Sequence, residues 1–238
     1  MKSRVRAVAH RGDPYQHREN TLPAVTAALA AGADAVEVDV QLTKDGAPVL
    51  LHDQTLERLW NDPRPINRVT SEQLAELATP GLRIPTLAEV LPVVAQTDGR
   101  QLLIDLDDAR PAAATWRTVS DLNLTDRVAF CGSVAAMLAV RELAPRAEIS
   151  LTWNRLQLPK QRLLEELRPS YLNPPFGLVD ERFVAAVHDA GLGLATWTVD
   201  LRRTMRRMLD VGVDSLTSNR VALLRRTIDQ HPDARRTP

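Results

Sequence analysis

Three short blocks hold the residues that could do chemistry. His10 and Arg11 lie in Ala9-His10-Arg11-Gly12, Glu37 and Asp39 in Val36-Glu37-Val38-Asp39-Val40, and His52 in Leu50-Leu51-His52-Asp53. Each block stands where a short apolar run stops, so its side chains are expected to project from the end of a strand. Glu37 and Asp39 are two positions apart, which points both carboxylates to one face of a strand. Side by side in a water-poor pocket they repel, and one stays protonated unless a cation neutralises both. A hard divalent ion with oxygen ligands, Mg²⁺ or Ca²⁺, meets that need. Imidazole titrates near neutral pH, so one of His10 and His52 could remove a proton while the other delivers one. The Arg11 guanidinium could grip a phosphate with a two-pronged fork. Gathered at one rim, these groups suit metal-assisted chemistry on a phosphate ester. Taken singly, each has a plainer explanation: a solvated acidic strand end, a structural histidine, a surface ion pair.

The elements that must position them follow from alternation. Short apolar runs fall at 5–9, 35–39, 102–106, 128–131, 149–152, 171–173, 194–198 and 215–217. Amphipathic stretches lie between them, near 22–31, 87–96, 111–121, 134–143, 160–167, 180–190 and 201–211, and a further one at 221–229 follows the last run. Eight repeats of strand and helix predict a TIM-type (β/α)8 barrel, in which active sites form at the C-terminal ends of the strands. Asn20 or Thr21 can cap the first helix, Pro23 suits its first turn and Gly32 stops it. Between the second run and the second long helix the pattern breaks. Lys44-Asp45-Gly46 signals a tight turn before Pro48-Val49-Leu50-Leu51, which predicts a small hairpin inserted after the second strand and delivering His52. The insertion spans about 41–85, with a short helix at 71–77, and the barrel core about 5–229 of one domain covering 1–238.

The 238 residues approach the roughly 250 of a typical barrel of this kind. The formal net charge of zero excludes a generally basic nucleic-acid binder. Lysine occurs only at positions 2, 44 and 160, an arginine excess that reads as coding bias. Cys131 is the single cysteine and ends an apolar run, so a buried strand thiol is expected and no disulfide. No stretch reaches the ~20 apolar residues of a membrane helix, and no signal-peptide core follows the basic start. A cytoplasmic protein acting on a small molecule is expected, without nucleic acid or stable membrane insertion; oligomeric state is left open.

Together the blocks resemble those of the glycerophosphodiester phosphodiesterases. The likeness rests on Ala9-His10-Arg11-Gly12, Glu19-Asn20-Thr21, Glu37-x-Asp39-Val40, Thr43-Lys44-Asp45-Gly46 and His52-Asp53, in that order and spacing. Ile84-Pro85-Thr86-Leu87, Trp197-Thr198-Val199 and Gly212-Val213-Asp214 agree more loosely. The resemblance implies hydrolysis of glycerophosphodiesters to glycerol phosphate and an alcohol, with one divalent cation and two catalytic histidines, His10 and His52. In that family the hydroxyl beside the diester attacks phosphorus, and the intermediate is a cyclic phosphate that water opens. Arg11 and Glu19 would lie at the phosphate, Asn20 would support the pocket, and Glu37, Asp39 and Asp105 would hold the metal. Trp197 would wall the pocket.

The chain also departs from the family. Where the third strand commonly carries Glu-x-Lys, with the Glu on the metal and the Lys on phosphate, this chain has Asp105-Leu106-Asp107. Asp105 is shorter by one C–C bond, and Asp107 puts an anion where a phosphate should lie. A weakened barrel that binds a phosphorylated ligand or a protein partner is the competing expectation. Thr217-Ser218-Asn219 stands where the family commonly has an acid after threonine, and the segment around Trp153 and Asn154 could form a substrate loop. His17 is expected in an exposed loop, His188 and His231 on the surface, and the tail 231–238 frayed.

Overall fold

The structure, a computed structural model, describes residues 4–232. The apolar runs become strands β1 (Arg6–His10), β2 (Ala35–Leu42), β3 (Pro48–Leu50), β4 (Gln101–Leu106), β5 (Val128–Gly132), β6 (Glu148–Thr152), β7 (Tyr171–Asn173), β8 (Gly193–Thr196) and β9 (Ser215–Ser218). Eight of them run parallel in the order β1-β9-β8-β7-β6-β5-β4-β2, and pairing of β1 with β2 closes the ring. This is the expected barrel. Around it lie α1 (Leu22–Ala30), α2 (Glu57–Trp60), α3 (Ser71–Glu76), α4 (Leu87–Ala95), α5 (Ala112–Asp121), α6 (Val134–Leu143), α7 (Gln161–Leu167), α8 (Glu181–Asp189), α9 (Arg202–Asp210) and α10 (Val221–Gln230). No helix among the described residues is long and apolar enough to cross a membrane.

Alternation along the strands sorts the side chains into two layers. Val36, Val38, Ile104, Phe130, Leu151 and Leu216 face outward into the large core beneath the helices. Val8, Ala35, Leu103, Ala129 and Cys131 form a separate cluster inside the barrel. Strand side chains alternate with a period of two, so the inward set continues upward to His10, Glu37, Asp39 and Asp105. The register makes them neighbours: His10 lies beside Glu37, and Asp39 beside Asp105, which lies beside Cys131. The barrel interior therefore carries a small apolar cluster beneath an acidic layer, and Arg6 bridges to Glu148 and Gln101 inside it.

The first helix starts as its sequence requires. Thr21 is its N-cap, accepting from the Ala24 N–H, and Pro23 sits in the first turn. The corner that leads into it is tight. Gly12 adopts φ +88°, and a Cβ there would lie 2.6 Å from the Ala24 carbonyl carbon, which glycine avoids.

β2 runs three residues past the predicted end and pairs antiparallel with β3, forming the hairpin. Its turn is closed by Thr43 N–H to the Ala47 carbonyl (3.1 Å) and Gly46 N–H to the Thr43 carbonyl (3.0 Å). The insertion also carries the one-turn helix α2, which has no apolar periodicity to announce it. It builds a small core of its own from Val49, Leu51, Leu56, Ile66, Val69, Leu74 and Ile84. This core fixes the segment that presents His52 and Asp53.

Two surface assignments need correction. His231 is buried, 7% exposed, with Nε2 3.0 Å from Asp210. His188 is half-buried, with Nε2 2.7 Å from an Asp214 carboxylate oxygen that also accepts from the Leu194 N–H. His188 ties α8 to the barrel and His231 ties the end of α10 to α9, each through an acid distant in sequence, contacts that position in the sequence alone does not reveal. His17 is exposed and Cys131 buried, as expected. The rest of the frayed-tail expectation, 233–238, lies outside the described residues.

Candidate active site

Seven of the eight anticipated site residues line one cavity of about 570 Å³ at the C-terminal mouth of the barrel: His10, Arg11, Glu37, Asp39, His52, Asp105 and Trp197. Glu19 is not among its lining residues.

The floor is acidic. Oxygens of Glu37, Asp39 and Asp105 come within 4.8 Å of one another. Glu37 Oε2 accepts the Arg11 backbone N–H at 2.9 Å, and Asp39 Oδ2 accepts the Asn20 side-chain amide at 2.7 Å. Glu37 Oε1 and Asp105 Oδ1, by contrast, are buried with no hydrogen-bond partner among the described residues. Burial and then the neighbouring Asp39 and Asp105 charges push Glu37 well above the usual carboxylate range. Burial, followed by Asp39 and Asp107, raises Asp105 to about 7. Buried acids that crowd together and keep unpartnered oxygens are costly for a protein unless a cation joins them. The donor set, all carboxylate oxygen, fits a hard divalent ion.

Arg11 sits beside this floor in a left-handed conformation, φ 56°. Its guanidinium lies 3.0 Å from Glu19 Oε1 and 3.2 Å from Asp39 Oδ2. Glu19 Oε1 also accepts from Arg58 at 2.6 Å. Burial would raise the Glu19 carboxyl, but the hydrogen bonds from Arg58 and Arg11 outweigh it and hold it low. Glu19 thus faces two guanidiniums and the cavity sees Arg11. Asn20, also at φ 56°, bonds Asp39 twice, through its amide and by accepting the Asp39 N–H at 3.2 Å.

The histidines flank the acids. His10 is largely enclosed, with Nε2 4.0 Å from Glu37 Oε2 and Nδ1 2.7 Å from Asn219 Oδ1. Burial, then the Arg11 charge, lowers its pKa. His52 is more open, and its Nδ1 lies 2.7 Å from Asp53 Oδ1. Arg58 hydrogen-bonds Asp53 and holds that carboxylate at about 2. Each imidazole is therefore oriented through Nδ1, which leaves Nε2 for substrate.

Asp107 lines the cavity and is exposed, and Trp153, Asn154 and Arg155 stand on the β6 side. Trp197 donates its indole N–H to the Asn173 carbonyl at 3.0 Å. Arg58, Asp200 and the contact of Asn219 with His10 did not show in the sequence. Asp53 was visible in the His52-Asp53 pair, but its anchoring by Arg58 was not. Asp200 follows Trp197-Thr198-Val199 directly, the one sequence cue to it.

Comparison with known proteins places the chain among its relatives. The model of the glycerophosphoryl diester phosphodiesterase family matches residues 10–223. The glycerophosphodiester phosphodiesterase of Caldanaerobacter subterraneus is 28% identical over 229 residues, 89% of this chain and 93% of that protein. The one from Bacillus altitudinis is 30% identical over 224 residues, 87% of this chain and 91% of that protein. Among solved structures, the glycerophosphodiester phosphodiesterase of Thermotoga maritima has a TM-score of 0.78 at 25% identity, covering 93% of this chain and 97% of that one. An Oleispira antarctica phosphodiesterase, in complex with the product sn-glycerol-3-phosphate, has a TM-score of 0.85 at 24% identity and covers 95% and 98%, a likeness of fold. The family match takes in both histidines, Arg11 and all three floor carboxylates, and the chain belongs to the glycerophosphoryl diester phosphodiesterase family.

Proposed function

We propose that this chain hydrolyses glycerophosphodiesters to glycerol phosphate and an alcohol, with one divalent cation and two histidines. One observation carries the reading: carboxylate oxygens of Glu37, Asp39 and Asp105 gather within 4.8 Å of one another, two of these acids each keeping a buried oxygen without a partner, in the cavity that His10, His52 and Arg11 also line. The product held by the Oleispira antarctica relative is the one this reading expects. Glu37, Asp39 and Asp105 would hold Mg²⁺ or Ca²⁺, which when bound would neutralise phosphate charge and acidify the attacking hydroxyl.

The chain's own residues do the rest. Arg11, steadied by Glu19, offsets the negative charge that grows on the phosphate oxygens. The free glycerol hydroxyl beside the diester attacks phosphorus while one imidazole takes its proton. The other imidazole protonates the leaving alcohol oxygen as the P–O bond breaks, leaving a cyclic phosphate. Water then opens the ring, with the two imidazoles exchanging roles, and glycerol phosphate departs. Trp197 walls the side where substrate carbon would lie.

Asp107 supports a second reading, a weakened barrel that only binds its ligand, because it brings an anion to the phosphate side. Assays on glycerophosphocholine, glycerophosphoethanolamine and bis(p-nitrophenyl) phosphate separate the two. Turnover abolished by EDTA and restored by Mg²⁺ or Ca²⁺ supports the enzyme. Folded protein that binds glycerol phosphate yet turns over none of them supports the binder.

A further inference from the structure

We infer that Asp200 is a positioning residue for His10, acting through the side-chain amide of Asn219. The inference rests on the two-histidine reading above for its catalytic consequence, and on hydrogen-bond logic for everything else.

Asp200 lies just after β8, and its carboxylate meets the end of β9. Its Oδ1 accepts the Ser218 hydroxyl at 2.9 Å and the Asn219 backbone N–H at 2.8 Å, and its Oδ2 accepts the Asn219 side-chain amide at 2.8 Å. Three donors converge on this group, so it is an acceptor at both oxygens. A carboxylate can only accept, so the atom of Asn219 that meets it must be the NH₂. The amide is thereby oriented, and its carbonyl oxygen is the atom that faces His10 Nδ1 at 2.7 Å. An amide oxygen has no proton to give. His10 Nδ1 must therefore carry the hydrogen, and the lone pair of neutral His10 sits on Nε2, the nitrogen turned toward Glu37 and the cavity. The chain from Asp200 to Asn219 to His10 selects the tautomer able to take a proton from substrate.

Replacing the carboxylate by its isosteric amide should reverse the whole chain. In Asp200→Asn, the new side-chain oxygen keeps the Asn219 N–H and the new NH₂ faces the Asn219 side chain. Asn219 must then turn its oxygen to that NH₂ and offer its own NH₂ to His10. His10 Nδ1 would have to accept, and the proton would move to Nε2. Adding Asn219→Asp supplies two acceptor oxygens at once, one opposite His10 Nδ1 and one for the amide introduced at position 200. The double variant should therefore recover the original tautomer.

The test is ¹⁵N NMR of the imidazole rings in the full-length protein, with His10 identified by its absence in His10→Ala, alongside kinetics. Wild type should show a protonated Nδ1 and a bare Nε2. Asp200→Asn should show the reverse, with kcat down roughly 10- to 100-fold and KM within about twofold. Asp200→Asn with Asn219→Asp should return both the ring pattern and most of kcat. Should Asp200→Asn not fold, Asn219→Leu removes the acceptor and should leave mixed tautomers. A ring pattern unchanged in Asp200→Asn, or unchanged in Asn219→Leu, overturns the inference, as does a double variant that folds without recovering the pattern. Ring patterns as expected in a protein that hydrolyses no glycerophosphodiester would sink the proposed activity and leave the positioning chain standing.

Discussion

Each imidazole at this mouth is held by a different kind of partner. His10 leans on an amide, and His52 on a carboxylate that Arg58 keeps ionised. With both rings acting in the proposed proton transfers, His10→Ala and His52→Ala should each lower kcat on the order of 10²–10⁴-fold, measured on glycerophosphocholine with saturating metal. Full activity in either variant removes that imidazole from the mechanism. Asp107 poses a separate question. It is exposed on the cavity wall and its charge adds to the upward push on Asp105. Asp107→Lys exchanges a repelling charge for an attracting one, so KM for an anionic diester should fall several-fold with kcat changed less. An unchanged KM would show that Asp107 faces away from the bound substrate.

At the scale of elements, the corner between β1 and α1 carries much of the site. Arg11, Gly12 and Asn20 all adopt left-handed backbone, which turns the Arg11 side chain over the acids and brings Asn20 onto Asp39. In Gly12→Ala the new methyl group would meet Ala24 backbone at 2.6 Å with φ at +88°. A loss of about 2–4 kcal/mol in unfolding free energy is expected from chemical denaturation, combining overpacking with left-handed strain. A change under about 0.5 kcal/mol would mean the corner relaxes freely. The first helix was legible because its signals are local, the cap at Thr21, Pro23 and the stop at Gly32 all lying within or beside it, whereas the left-handed backbone of Arg11, Gly12 and Asn20 was not. The alternation of Glu37 with Asp39 was legible for the same reason. The partners of His10, His188 and His231 were not, since Asn219, Asp214 and Asp210 reach them across the sequence through barrel closure or helix packing. The helix at Glu57–Trp60 was hidden too, being a single turn whose formation depends on the insertion's core. Glu19 was recognised near the site by its motif, but that motif did not disclose that Arg58 and Arg11 would occupy its carboxylate.

For the whole molecule, an acidic layer inside a closed barrel links stability to pH and to metal. Asp105, raised to about 7, binds its proton in the folded state over a range where the unfolded chain has already lost it. Between about pH 4 and 7 the native state therefore holds the extra proton, and the stability of metal-free protein should fall as pH rises through that window. A cation needs the ionised acids, so its binding should release protons and stabilise the fold more at pH 8 than at pH 5. Thermal melts with EDTA and with saturating Mg²⁺ or Ca²⁺ at the two pH values check this, and equal metal-induced shifts in Tm at both would contradict it. The activity itself is tested most directly by ³¹P NMR of glycerophosphocholine incubated with metal-stripped protein, before and after divalent metal is added back. Glycerol phosphate should accumulate only after the addition, and not with Glu37→Gln. Product formed at the same rate in EDTA, or none from folded protein with metal restored, would contradict a cation-assisted diesterase built on Glu37, Asp39 and Asp105.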